Sequence, residues 1–341
     1  MTERENFFAY IRGEKAEKIP NHTSCFQYMG PSILNDPVTQ YMMIEQEQGT
    51  EEAQKLRYKD CFGVQWIIDN YSAMVDNSSL LLEDISEWRD KVTFPDTKNY
   101  DWDTACEMDS CWWDPEKPTL WFLAGPFMQL LDSLGHANAF CALIEDEEEV
   151  ANYMRAFTDF IIDVIRNVMP RMKVDCFVIG DDMASAKDMF ISPDIYRRIF
   201  KPLHKEIFDT VAEVSPDTFR EFHLCGHCEE ILDDLPEVNA QSWEPAQPFN
   251  DIKAFQNRQG KDFGITGGWD NIWACSAPNL TEEEIRKSVR DTIDKYAADG
   301  QRYIFYDGMA VGLSPEMQQR IAWADDEADK YGKEYYQKYR A

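Results

Sequence analysis

Residues 175–182 read DCFVIGDD and residues 218–226 read TFREFHLCG, and a helical pattern runs between them from Ser192 to residue 213. Each quoted stretch is a short apolar run that ends in polar residues or in glycine. Short apolar runs separated by helices are typical of buried parallel strands in α/β proteins. This unit therefore predicts a parallel sheet whose strands end in chemically reactive side chains.

The same alternation continues on both sides of this unit. We count eight strand-like segments, near residues 22–28, 62–68, 119–124, 175–180, 219–225, 239–243, 262–267 and 302–307. No Gly-x-Gly-x-x-Gly or Walker-type loop follows any of them, which argues against an open sheet that binds nucleotides. Eight strands alternating with helices favour a closed (β/α)8 TIM-type barrel.

We assign residues 1–341 to a single barrel domain. Thr2 and Glu5 have the spacing of a capping box, so a short helix is predicted as an N-terminal extension of the barrel. Residues from about 70 to 118 lose periodicity and are rich in Trp and Asp. Because so many large apolar side chains would not stay in solvent, we interpret this stretch as an excursion packed on the barrel. A solvated linker is the alternative.

The composition argues against binding to nucleic acids or membranes and against a disulfide scaffold. The chain has 63 acidic and 34 basic residues and a net charge of −29, which opposes binding to nucleic acids and to anionic membranes. We find no signal-peptide pattern and no apolar run of the roughly 18 residues that a membrane span needs. The nine cysteines are too dispersed for a disulfide scaffold. We expect a cytoplasmic protein, and leave open whether it is a homodimer.

His223 and Cys225 form the strongest candidate metal-binding pair. They lie two residues apart on a predicted strand, so their side chains leave the same face, and Gly226 lets the chain turn immediately afterwards. Imidazole and thiolate together suit zinc, and a catalytic zinc takes three protein ligands and keeps one open position. Glu244, at the end of the next predicted strand, is the first choice for the third ligand. The alternatives here are Cys275 and Cys228.

Two interpretations that need no metal ion compete with the metal site. A buried cysteine next to a hydrogen-bonded histidine would need no metal. Cys225 and Cys228 also have the spacing of a redox pair, although no thioredoxin-like unit surrounds them.

Other strand ends carry candidate catalytic and substrate-binding residues. Asp181 and Asp182 close one apolar strand, where adjacent carboxylates repel each other unless one is paired, protonated or turned outward. We predict that one of them faces the cavity as a catalytic group, and a helix N-cap is the alternative. The predicted substrate-binding residues are Tyr28, Met183, Trp269, Tyr306 and Asp307.

Several segments together resemble the uroporphyrinogen decarboxylase superfamily. HLCGHCEEILDDL (223–235) resembles the His-x-Cys-Gly segment of its zinc methyltransferases. The stretch from GDDM to DTV (180–211) resembles its "DD…SP…Y…KP" segment, and ITGGWDN (265–271) resembles its Gly-Gly-x-Asp turn. Residues 1–20 and the stretch 61–102 are similar to methyltransferases that start anaerobic O-demethylation.

The resemblance implies a barrel that moves a methyl group from a small methoxylated substrate, aromatic by preference, to the cobalt of a separate corrinoid protein. Zinc would act there as a Lewis acid on the heteroatom that carries the methyl group. Carried over residue by residue, His223 and Cys225 match two zinc ligands, and Glu244 lies where a carboxylate ligand is found.

The chain departs from the superfamily pattern at two places. True decarboxylases carry an arginine-rich motif near the N-terminus, whereas the corresponding segment here reads CFQYMGPS (25–32). Thiol-specific members complete the zinc set with a final-strand cysteine, whereas IFYDGMAVG (304–312) offers Asp307 and Met309. The third zinc ligand therefore stays open. Methyl transfer from methylcobalamin to a thiol or folate, a decarboxylase-like lyase and a metal-free small-molecule binding protein remain alternative functions.

Overall fold

The computed structural model describes residues 1–37, 56–68, 73–308 and 314–340. The strands in these ranges are β1 (Gln27–Met29), β2 (Leu56–Lys59), β3 (Gln65–Ile68), β4 (Ala73–Val75), β5 (Thr119–Ala124), β6 (Cys176–Gly180), β7 (Phe219–His223), β8 (Ser242–Ala246), β9 (Gly264–Gly267) and β10 (Tyr303–Ile304).

The α-helices in the same ranges are α1 (Glu3–Ile11), α2 (His22–Cys25), α3 (Trp88–Lys91), α4 (Trp102–Ser110), α5 (Pro126–Glu145), α6 (Glu147–Val168), α7 (Pro193–Ile195), α8 (Lys201–Val214), α9 (Ile252–Gln259), α10 (Asn271–Ser276), α11 (Glu282–Tyr296) and α12 (Pro315–Tyr339). A π-helical turn, Tyr196–Phe200, joins α7 to α8. None of the helices in the described ranges is both long and apolar enough to cross a bilayer.

A parallel sheet of seven strands forms the centre of the molecule, in the order β1, β5, β6, β7, β8, β9, β10. A parallel bridge between Asn21 and Phe305 joins its two ends. There the His22 amide donates to the Phe305 carbonyl at 2.7 Å, and the Phe305 amide donates to the Pro20 carbonyl at 3.0 Å. Residues 20–29 thus pair with the last strand at their beginning and with β5 at their end, and the TIM-type barrel is confirmed.

Helices cover the outside of the central strands, and side chains fill the inside of the barrel. Every residue of β6, β7, β8 and β9 is buried, as expected for parallel strands inside an α/β protein. At the N-terminus, the Thr2 hydroxyl accepts from the Glu5 amide at 3.1 Å while the Glu5 carboxylate accepts from the Thr2 amide at 2.9 Å. The predicted capping box and N-terminal helix are therefore confirmed.

One of the eight segments counted from the sequence is not a barrel strand. Residues 62–68 contain β3, which pairs antiparallel with β2 and β4 in a separate three-stranded sheet. Its residues alternate between half-buried and buried, the pattern of a sheet covered on one side. A short apolar run indicates burial without showing which sheet the strand joins, and this is why the prediction was wrong.

The Trp- and Asp-rich stretch after residue 72 packs on helices α5 and α6. The Trp88 ring stacks on Tyr153 with centroids 5.5 Å apart, and its indole N–H donates to Glu149 at 3.1 Å. Phe94 contacts Phe160 of the same helix at 5.6 Å. The part of the excursion within residues 73–118 therefore lies against the helical layer, while its status within a single domain stays a prediction.

The C-terminal helix α12 has no counterpart in the sequence analysis. The buried guanidinium of Arg320 donates to the carbonyls of Ala274 and Ala277 at 3.0 and 2.8 Å. Gly332 of the same helix comes so close to Ile19 that an added Cβ would lie 3.2 Å from the Ile19 carbonyl oxygen. The helix thus holds the end of the chain against the first and last parts of the barrel.

Candidate metal centre

Three metal-ligating side chains converge at the carboxyl ends of β6 and β7. His223 is the last residue of β7, Cys225 follows two residues later, and Asp182 lies two residues beyond β6. The His223 Nε2 atom is 3.4 Å from Cys225 Sγ and 3.5 Å from Asp182 Oδ1. One ligand atom from each residue lies within 4.8 Å of the others, and in the described ranges this is the one group of three or more such residues.

The backbone holds these side chains in place. The Cys225 amide donates to Asp182 Oδ1 at 3.1 Å, which ties the loop after β7 to the loop after β6. Gly226 has a φ of +88°, and a Cβ there would lie 2.6 Å from the Ser185 carbonyl oxygen and 2.7 Å from that of Ala184. A glycine is therefore required both for the turn and for the close approach of the two loops.

Glu244 contacts the opposite side of the histidine ring. His223 and Glu244 are paired in register on β7 and β8, and the His223 Nδ1–H donates to Glu244 Oε1 at 2.8 Å. Histidine ligands in metal proteins commonly donate their second ring N–H to a carboxylate, which fixes the ring and leaves the other nitrogen for the metal. Glu244 as the third ligand therefore stays a prediction: in this structure Asp182, and not Glu244, joins the group of ligand atoms, while Glu244 contacts the other ring nitrogen.

The electrostatics of the cluster favour a bound cation. Burial opposes a charge on His223, but Glu244, Cys225 and Asp182 outweigh it and raise the pKa of the ring well above its usual value. Burial also raises the pKa of the Cys225 thiol, and His223 opposes this. Imidazole, thiolate and carboxylate are all accepted zinc ligands, so these residues fit zinc. Binding would displace the protons that they hold.

Asp181 contacts α5 and His204 instead of the cluster, and its catalytic role stays a prediction that this geometry does not support. Its side chain is completely buried and accepts from the amides of Phe127 and Met128, at 3.1 and 2.7 Å, in the first turn of α5. The His204 Nε2–H donates to the same carboxylate at 2.5 Å. A carboxylate at a helix N-terminus is stabilised by the free amides there, and Asp181 is therefore a structural group.

Tyr28 and Tyr306 lie together beside Glu244 inside the barrel. Burial raises the pKa of Tyr28 well above its usual value, and the neighbouring Tyr306 side chain opposes this. Burial raises the pKa of Tyr306 well above its usual value, so its phenol stays protonated. A cavity of about 10 Å³ lies among these residues. Its walls are formed by His22, Tyr28, Leu120, Phe122, Val178, Glu244 and Tyr306.

The other three predicted substrate-binding residues face elsewhere. The Trp269 indole N–H donates to Ser288 Oγ of α11 at 2.9 Å, so this ring belongs to the interface between barrel and helices. Met183 is fully buried and does not line the cavity. The Asp307 carboxylate accepts from the Thr23 hydroxyl at 3.0 Å and links the last strand to α2. Contacts with protein groups do not decide what binds a substrate, so the role of these three residues stays a prediction.

The remaining candidates for the third ligand also lie outside the cluster. Cys228 is buried, with its Sγ 4.0 Å from the Leu224 carbonyl oxygen. Cys275 lies on α10 and is half-buried. Neither of them, nor Asp307, belongs to the group of ligand atoms around His223. Met309 lies outside the described residues.

The sequence analysis missed a second pair of buried ionisable residues in the barrel. His22 and Glu221 are 2% and 0% exposed at their side chains, and His22 Nε2 lies 3.3 Å from Glu221 Oε2. The signal for Glu221 was available, because a carboxylate stands in the middle of the apolar strand FREFH. No sequence signal marks His22, which reaches the barrel interior through the one-turn helix α2.

Known structures resemble this one in fold. A methyltransferase from Methanosarcina mazei matches over 97% of this chain and 99% of its own, with 14% identity and a TM-score of 0.65. A candidate vitamin-B12 independent methionine synthase from Listeria monocytogenes matches over 70% of this chain and 71% of its own, with 12% identity and a TM-score of 0.44. Comparison with curated proteins finds no significant match.

The family comparison covers both strands of the metal cluster. The model of the uroporphyrinogen decarboxylase family matches residues 104–320, which is more than half of the 341-residue chain. That range includes Asp182, His223 and Cys225. The chain therefore belongs to the uroporphyrinogen decarboxylase family.

Proposed function

We propose that this protein is a zinc-dependent methyltransferase that moves a methyl group from a small methoxylated substrate to the cobalt of a separate corrinoid protein. An aromatic methyl ether is the substrate class that fits best. The observation that carries the proposal is the convergence of Asp182, His223 and Cys225 at the carboxyl ends of two barrel strands. Active sites of such barrels lie at this end.

In this proposal His223 Nε2, Cys225 Sγ and the Asp182 carboxylate hold zinc. The bound ion would supply a Lewis acid for the ether oxygen of the substrate. Glu244 holds the ring of His223 from behind. Because the side chain of Asp182 is 42% exposed while that of His223 is 7% exposed, a substrate reaches the cluster from the Asp182 side.

The reaction balances without a further oxidant or reductant. The bond between the methyl carbon and the ether oxygen breaks, and its electron pair stays on oxygen. Co(I) of the corrinoid protein supplies the electron pair of the new bond to carbon and becomes methyl-Co(III). The oxygen of the demethylated product takes up one proton. Co(I) requires a reducing environment, so we place the protein in the cytoplasm, in keeping with its nine unpaired cysteines.

The size of the internal cavity restricts where the substrate binds. About 10 Å³ accommodates roughly one water molecule and no aromatic ring. The ring of an aromatic ether would therefore lie on the exposed side of Asp182 and Cys225, with its methoxyl oxygen towards the cluster. In this placement the ring contacts neither Tyr28 nor Tyr306, which line the cavity, and the indole of Trp269 faces α11.

The proposal is tested by mixing the zinc-loaded protein with cob(I)alamin and a panel of methyl donors. The panel contains methoxylated benzoates and phenols, methanol and trimethylamine. We expect the visible spectrum of Co(I) to change to that of methyl-Co(III) with at least one methoxylated aromatic compound. The Cys225→Ser variant should slow this change at least about 100-fold, as expected when a transition-state interaction is lost. Cys141→Ser, at an exposed cysteine of α5, is the matched control.

The other functions predict different results in the same experiment. Demethylation of methylcobalamin by a thiol or a folate, without reaction of any ether, would favour transfer in the opposite direction. Release of CO₂ from a porphyrinogen would favour a lyase. A protein that binds no zinc and forms no methyl-Co(III) with any donor would contradict the proposal and favour a binding protein.

A further inference from the structure

Three buried polar atoms of residues that line the internal cavity have no hydrogen-bond partner among the described residues. Glu244 Oε1 accepts from the His223 Nδ1–H, but the Oε2 atom of the same carboxylate has no partner. The same is true of both ring nitrogens of His22, another residue that lines the cavity. Glu244 is 2% exposed and His22 is 1% exposed, so bulk water does not reach these atoms.

A buried polar atom without a partner costs about 1–3 kcal/mol, and more when the group is charged. A cavity of about 10 Å³ is the smallest that holds a water molecule, and such a water needs two to four polar neighbours. Glu244 Oε2 and His22 Nδ1 provide two of them. The phenols of Tyr28 and Tyr306 border the same space and provide further ones. The cavity therefore has the size and the chemistry of a binding site for one water molecule.

On its other side, His22 packs on Tyr306 and approaches Glu221 without a hydrogen bond of regular geometry. Its Nε2 lies 3.3 Å from Glu221 Oε2, and its ring packs on Tyr306 with centroids 4.3 Å apart. Glu221 in turn accepts from the Thr266 hydroxyl at 2.6 Å and from the Cys176 thiol at 3.4 Å. A water bound to His22 would thus contact a buried ring that packs on Tyr306 and lies beside Glu221.

We propose that one water bound in this cavity links Glu244 to His22, and that His22 is thereby a positioning residue for the metal centre. This inference rests on the proposed function, since it assumes that His223 holds a metal. With both oxygens engaged, Glu244 keeps a single orientation and fixes the ring of His223. Without the link, Oε2 has no hydrogen-bond partner, and the carboxylate rotates away from His223 more easily.

The experiment compares three variants at the cavity. His22→Leu removes both ring nitrogens, and His22→Asn keeps a polar atom close to the position of Nδ1. Val178→Ala enlarges the same cavity without removing a polar group and is the matched control. For each protein we would measure the zinc dissociation constant by competition with a chromophoric chelator and the visible spectrum of the Co(II)-substituted form. A crystal structure of the metal-free wild type would show the cavity.

We expect His22→Leu to weaken zinc binding about tenfold and to shift the Co(II) bands, as for other partners of metal ligands. His22→Asn should stay within about threefold of the wild type, and so should Val178→Ala. The crystal structure should show one water between Glu244 and His22.

Three results would overturn the inference. An empty cavity in a high-resolution map would remove the water link. Unchanged zinc affinity and Co(II) spectrum in His22→Leu would remove the positioning role. Equal weakening by all three variants would indicate packing alone. A wild type that binds no zinc would instead contradict the proposed function and the positioning role with it, while the map would still decide on the water.

Discussion

Asp181 and Asp182 are neighbours in the chain and have opposite surroundings. Asp181 is completely buried and binds two amides of α5 and the ring of His204. Asp182 is partly exposed and contacts His223 and the amide of Cys225. An aspartate thus forms part of the helix–barrel interface at position 181 and part of the candidate metal cluster at position 182.

The comparison shows how a barrel divides its polar residues between stability and chemistry. Successive residues of an extended chain point to opposite sides. At the end of β6, one side meets the first turn of α5 and the other meets the mouth of the barrel. Substitution of Asp181 should therefore change stability, whereas substitution of Asp182 should change metal binding.

The largest effect is expected for Cys225→Ser, which replaces the thiolate of the cluster. Zinc content should fall from about one equivalent per chain to less than about a tenth, because the thiolate is the strongest of the three ligands. Elemental analysis of the purified proteins measures this directly. Cys141→Ser should retain the full content, and a Cys225→Ser protein with full zinc would show that the cluster is not the metal site.

Asp181→Asn should mainly reduce stability. One of the three N–H donors around Asp181 would then face an amide NH₂ group instead of a carboxylate oxygen. We expect the free energy of unfolding of the metal-free protein to fall by about 3 kcal/mol, as when a buried charged partner is removed. Urea denaturation measures it. Loss of zinc without loss of stability would show that Asp181 serves the metal centre after all.

Asp182→Asn should have the complementary result. The amide is a poorer metal ligand than the carboxylate, so zinc affinity should fall about 10- to 100-fold, or about 1.4–2.7 kcal/mol. The stability of the metal-free protein should change by less than about 0.5 kcal/mol, since the side chain is partly exposed. Chelator competition and urea denaturation give the two numbers. If zinc affinity is unchanged, a residue other than Asp182 completes the ligand set.

A third carboxylate, Asp325 of α12, sharpens the comparison because it is half-buried and its neighbours include the carboxylates of Asp307 and Asp329. Burial, together with the negative charge of Asp307, raises its pKa to about 7, although the Asn21 amide donates to it at 3.2 Å. The folded protein therefore keeps a proton that the unfolded chain releases near pH 4, and stability falls as the pH rises from about 4 to about 7.

Asp325→Asn should remove this slope. The amide oxygen still accepts from Asn21, and no charge forms above pH 7. We expect the variant to be more stable than the wild type by about 1–2 kcal/mol at pH 8, a value reduced for partial exposure, and equal to it near pH 4. Urea denaturation at both pH values tests this. A constant difference between the two pH values would contradict the assignment.

The pattern of the sequence was sufficient for the barrel and for two of the three residues of the cluster. His223 and Cys225 are two residues apart, so their common face follows from the geometry of an extended chain alone. Glu244 was chosen as the third ligand because it ends the strand that follows Cys225, whereas Asp182 was predicted only as a catalytic group. Which carboxylate joins the ligand group depends on how far its residue lies beyond the end of the strands. Glu244 is paired with His223 in the register of β7 and β8.

The errors at β3 and α12 have a related cause. The apolar run in residues 62–68 indicates a strand, but its hydrogen-bond partners are β2 and β4, which lie within twelve residues of it along the chain. Helix α12 carries many charges that form ion pairs with α11, for example between Glu327 and Arg290 at 2.7 Å. The sequence does not predict these ion pairs, because they depend on the relative positions of the two helices.

What the sequence by itself determined is local and periodic. Alternating apolar runs and helices established the barrel, and the His-x-Cys-Gly spacing established a candidate metal pair at a strand end. Only the tertiary structure decided that Asp182 joins this pair, that Asp181 faces α5, and that Glu244 and His22 border one cavity. These relations join residues from different strands, and they depend on strand register and side-chain direction, which no spacing along a single chain specifies.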